Sequence, residues 1–83
     1  MSEHGTDVYV WGSTPNTIDI KVAYTRYVGD GEFVPINSKH VGKSFSGLSR
    51  EEAFKTLRRL NRQGVRVPRK VFRRLRREIR TQA

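Results

Sequence analysis

Three observations predict an α+β fold in which an antiparallel sheet of three or four strands precedes two amphipathic arginine-rich helices. Residues 17–28 alternate apolar and polar side chains, the period of a half-buried strand. Ser49 and Glu52 stand at capping-box spacing ahead of a run with helical apolar period. Charge is split along the chain: residues 50–83 hold thirteen cations against three acids, a formal +10, and residues 1–49 hold four against five, a formal −1. The whole of the chain's formal +9 therefore belongs to its helical part.

The elements follow in order. Residues 1–7 are polar and expected to be flexible, and 8–83 to form a single small domain, with the sheet in 8–47 and helices at 49–63 and 68–80. Val8, Tyr9, Val10 and Trp11 are β-prone, and the Gly12 to Asn16 stretch closes that run with turn residues. In the next strand Ile18, Ile20, Val22 and Tyr24 face one way, and Asp19, Lys21, Ala23 and Thr25 the other. Gly29, Asp30 and Gly31 supply the positive-φ residues of a hairpin loop. Residues 32–37 make a further strand, which Pro35 demotes to an edge or bends because it lacks a ladder donor. Residues 37–39 read as a turn and 40–45 as another strand.

In the first helix Ala53, Phe54, Leu57 and Leu60 share one side, and Lys55, Arg58, Arg59 and Arg62 the other. Gly64 suits a left-handed stop, and Pro68 the first turn of a second helix. That helix carries a narrow apolar stripe of Val71, Phe72, Leu75 and Ile79.

The strand, GDG turn, strand and the following KSFSGLSREEAFKTLRRLN resemble the N-terminal arm-binding domain of tyrosine recombinases, which has an AP2-like fold. Lys43, Phe45, Glu52, Ala53 and Leu57 occupy the places of that family's basic strand end and helix start. The resemblance covers about residues 17–62 and implies a three-stranded sheet in the DNA major groove with a helix behind it. Pro35 and the second arginine-rich helix depart from the family's pattern. No catalytic domain follows, so no recombinase activity is implied.

Composition narrows the chemistry. With no cysteine there is neither disulfide nor thiolate metal site, and His4 and His40 are not at ligand spacing, so no metal or other cofactor is expected. There is no glycine-rich phosphate loop and no nucleophile elbow. A small nuclease built on His40, Glu32 and an arginine is the one catalytic reading, and nothing in the spacing aligns its base with its acid. The chain is read as a non-enzyme. It lacks the basic and apolar runs of a signal peptide and any stretch of membrane-spanning length, so a cytoplasmic or nucleoid-associated place is expected and no membrane partner.

The charge points to a polyanion. Residues 66–77 contain seven cations and no acid, an arrangement that repels itself unless a partner neutralises it. The bland alternative, a merely solvated helix face, ordinarily mixes signs. Twelve Arg against five Lys suit planar contacts to phosphate or guanine. The expected phosphate contacts are Arg58, Arg62, Arg66, Arg69, Arg73, Arg74, Arg76, Arg77 and Arg80, and the expected base-reading residues are Lys21, Thr25, Arg26 and Lys39. Tyr9, Trp11 and Tyr27 have two readings, stacking surfaces for unpaired bases or core.

The leading expectation is an accessory or regulatory protein that binds double-stranded DNA. Three others stand beside it: a helix-turn-helix pair with the last helix in the major groove, an RNA- or ribosome-binding protein, and an inhibitor docking on an acidic protein surface or nucleic-acid channel.

Overall fold

The computed structural model describes residues 6–82. Its elements are β1 (Val8–Thr14), β2 (Thr17–Val22), β3 (Thr25–Gly29), β4 (Glu32–Pro35), β5 (Ser44–Leu48), α1 (Arg50–Arg62) and α2 (Arg69–Gln82). The fold is α+β. An antiparallel sheet of three strands, in the order β1-β2-β5, accompanies a separate two-stranded sheet, β3-β4, and the two helices follow.

β2 is central because its inward residues, Ile18, Ile20 and Val22, form the middle of the core. α1 lies across β2 and β5 and brings Ala53, Leu57 and Leu60 onto them. Leu75 of α2 and Val65 of the inter-helix link complete the buried set. Phe54 and Phe72 are only half-buried, while Thr56 is buried in α1. Turn chemistry behaves as the residues require: Gly29, Asp30 and Gly31 all have positive φ (108°, 52° and 73°).

The long strand over residues 17–28 is broken. β2 ends at Val22 and β3 begins at Thr25 in the other sheet. Across the break the apolar phase reverses, so Ala23 is buried and Tyr24 is 65% exposed. The cause is long-range bonding at the corner: the Ala23 N–H donates to the Asp7 carbonyl (2.8 Å), and the Tyr24 carbonyl accepts from the Ile36 N–H (3.0 Å). Residues 40–45 are likewise not one strand. A turn occupies 39–42, and the strand runs later, at Ser44–Leu48. The GDG hairpin therefore stands outside the three-stranded sheet, which draws on β1, a strand beyond the recombinase-like stretch.

Of the segment expected to be flexible, residues 1–5 with His4 lie outside the described residues, and Asp7 is fully buried. Arg26 donates to both Asp7 carboxylate oxygens, from Nε at 2.7 Å and Nη2 at 2.6 Å. The Arg66 N–H donates to the same carboxylate at 2.9 Å, and the Asp7 N–H donates to the Arg66 carbonyl at 2.9 Å. Burial on its own raises the Asp7 pKa. The hydrogen bonds from Arg26 and the Arg66 backbone, with both guanidinium charges, outweigh burial and hold it below its ordinary 3.8.

Asp7→Ala leaves the Arg26 guanidinium without its counter-charge, and the expected loss in urea denaturation is about 3–5 kcal/mol. Adding Arg26→Leu should recover part of it. A folded pKa below 3.8 means that this contribution is complete above pH 3.8 and is lost as pH falls through the lowered value. The parent chain should therefore lose stability on acidification more steeply than the Asp7→Ala variant.

The helix pair is joined by a cap with no slack. The Val65 N–H donates to the Leu60 carbonyl (3.0 Å) and the Gly64 N–H to that of Asn61 (3.3 Å), the pair of bonds of a Schellman motif. Gly64 has φ 91° and takes the left-handed position. An added Cβ there would meet nothing, so Gly64→Ala costs backbone strain alone, about 1–2 kcal/mol in a thermal or urea melt.

Candidate nucleic-acid interface

The first turn of α1 is fixed by its capping box. The Glu52 N–H donates to Ser49 Oγ (3.1 Å), and the Ser49 N–H donates to Glu52 Oε1 (2.9 Å). These Ser49 bonds hold the Glu52 carboxyl below its ordinary 4.5. At the same end of the helix pair, Arg50 Nε donates to Glu78 Oε1 (2.7 Å), and Arg74 Nε to Glu78 Oε2 (3.0 Å). The Arg50 bond, then the Arg74 bond, against some burial, hold the Glu78 carboxyl below 4.5 as well. Two of the three acids in residues 50–83 are thus engaged within the fold.

Between the helices lies an open groove of about 680 Å³ lined by Phe54, Arg58, Asn61, Arg62, Arg69, Phe72, Arg73 and Arg76. Five arginines converge there, and among the described residues no acid lines it. Phe54 and Phe72 make an edge-on pair between the helices, with centroids 5.4 Å apart and planes at 75°. The guanidinium carbons of Arg76 and Arg58 stand 5.5 and 6.0 Å from the Phe54 ring centroid. Such cation–π contact holds a planar cation in place while its N–H donors stay available. On the other flank of α2 a second concavity of about 660 Å³ is lined by Lys70, Val71, Arg73, Arg74, Arg77 and Glu78.

The expected phosphate contacts are distributed as follows. Arg58, Arg62, Arg69, Arg73 and Arg76 meet in the groove, with Arg73 shared between the two flanks. Arg74 and Arg77 line the second concavity, Arg74 with its bond to Glu78. Arg80 is exposed near the end of α2. Arg66 has an exposed side chain, and its backbone is held by Asp7.

The expected base-reading set is not brought together. Lys21 is exposed on β2, Thr25 is exposed on β3, and Lys39 is exposed in the turn before β5. Arg26 is turned inward onto Asp7, which also holds its pKa above its ordinary value. His40 sits in that same turn, its ring against Gln63 and 3.3 Å from the Lys43 ammonium.

The residues that sequence reasoning missed are the organisers, Asp7 and Glu78. Glu78 had a signal, as the one acid among the charged residues of α2. Among the described residues no group of three or more His, Cys, Asp or Glu could hold a metal ion. No described helix is long and apolar enough to cross a membrane. Comparison with protein-family profiles, curated proteins and solved structures finds no match for the chain.

Like charges at this density repel across the groove, and mobile ions screen repulsion between exposed charges. The melting temperature should rise when salt is increased from about 0.05 to about 0.5 M. A fall would mean that the exposed ion pairs, not the arginine repulsion, dominate.

Proposed function

We propose that this chain is a nucleic-acid-binding protein that engages duplex DNA through α2 and the α1–α2 groove, in an accessory or regulatory capacity. The observation that carries the reading is the groove where five arginines converge, continued around α2 to a second cationic flank. At 3.6 residues per turn, Arg73, Arg77 and Arg80 point away from the buried Leu75. Arg69 and Arg76 lie on one side of them, and Lys70 and Arg74 on the other. Arg69 to Arg80 spans about 16 Å at 1.5 Å per residue, near five phosphate steps of a duplex strand.

A helix with cations on both flanks suits a groove with phosphates on both walls. The DNA major groove, about 12 Å wide, admits one, whereas the deep and narrow major groove of A-form RNA does not. Phosphates supply the affinity in this reading, and with Arg26 turned inward the protein discriminates weakly between sequences.

The test is a triple replacement of Arg69, Arg73 and Arg76 by Ala. Alanine favours helix and relieves repulsion, so the fold is expected to survive. Fluorescence anisotropy across a salt series should show weaker binding to duplexes of every sequence. The log–log salt slope should shrink by about 0.9 per lost phosphate contact. An unchanged slope would overturn the reading, and tighter binding to matched duplex RNA would move the protein to RNA.

A further inference from the structure

β1 is an edge strand: β2 pairs with one side of it, and among the described residues no strand pairs with the other. Along that outer edge runs an open cleft of about 500 Å³, bounded by the β3-β4 hairpin and the start of α2. Tyr9, Trp11, Tyr27 and Phe33 line it, with Lys70 at its α2 end, and no acid is among the described residues that line it. These rings are not core. Tyr9 and Phe33 are each 62% exposed and Trp11 46%, although the chain has only eight aromatic residues with which to fill a small core. Tyr27 and Phe33 pair across the hairpin with centroids 5.2 Å apart. Lys21 is the cross-strand partner of Tyr9 and is exposed, so a cation borders the rings on the sheet side as well.

Exposed aromatic faces bordered by cations suit a ligand made of flat apolar rings on an anionic backbone. A single-stranded nucleic acid is such a ligand, and its bases stack on aromatic side chains with little regard to sequence. An acidic peptide matches the cations in charge but offers fewer flat faces to the rings. We infer that this cleft is a stacking site for unpaired bases of a single-stranded segment. The inference rests on the nucleic-acid reading above and extends it: Lys70 lines both this cleft and the second cationic flank of α2, so a strand leaving a duplex held on α2 passes directly into it. The protein then prefers duplexes that carry a single-stranded tail.

Trp11 is the chain's one tryptophan and reports on the cleft directly. Three probes separate the possibilities: a blunt duplex, the same duplex with a thymidine tail, and the tail alone. The tailed duplex is expected to quench Trp11 fluorescence and to bind about tenfold tighter than the blunt one. Tyr9→Ala and Phe33→Ala change exposed side chains and keep the reporter. Each should remove much of the tail preference while blunt-duplex affinity stays. Equal affinity for tailed and blunt duplexes, with Trp11 unquenched by the tail, overturns this inference and leaves the arginine groove standing. Binding to none of the probes overturns both.

Discussion

One buried carboxylate sets the geometry on which the rest depends. Asp7 joins the start of β1, the corner between β2 and β3, and the link between the helices, which are three segments far apart in sequence. Removing a charge from water is costly, and the cost is offset here because a forked guanidinium and a backbone N–H occupy the carboxylate oxygens together. The main chain of Asp7 is bonded on both sides as well. Since Arg66 lies between α1 and α2, the same anchor fixes where α2 departs, and with it the width of the arginine groove.

The second organising fact is how the few acids are used. Glu52 closes the α1 cap, and Glu78 joins the N-terminus of α1 to the C-terminal half of α2 through Arg50 and Arg74. Each stabilises a helix where its charge helps, and neither lines the groove. Phe54 and Phe72 perform two tasks there. They fill the space between the helices, and Phe54 offers its ring to the guanidiniums of Arg58 and Arg76.

What was legible in the sequence was local. Ser49 with Glu52, the GDG turn, and Gly64 followed by Pro68 each specify a few consecutive dihedrals, and the structure realises each as a cap, a hairpin loop or a helix boundary. The alternation of Ile18, Ile20 and Val22 marked the buried face of β2 for the same reason. The convergence of Arg58 and Arg62 with Arg69, Arg73 and Arg76 was legible only as two separate stripes, since the angle between helices is not written in either one. The break at Ala23 and Tyr24 was invisible because an unbroken period continues through it. Its cause lies in Asp7 and Ile36, bonds between residues that sequence periodicity does not connect. Val65 looked like part of a linker and is fully buried, because the Schellman cap folds it back onto Leu60 and the core.

The bond between Asp7 and Arg66 spans 59 positions, and that span has a consequence in time. A ribosome releases the acidic, sheet-forming half first. β1 cannot acquire its Arg66 partner until α1 has been made and the link beyond it has emerged. Contacts this remote slow folding, because a long loop must close before they contribute. Until that closure the nascent chain exposes an unanchored β1 edge with its aromatic rings. The cationic α2 is made after every other described element, and the residue whose carboxylate fixes the start of α2 also holds the sheet's corner, through its main-chain carbonyl.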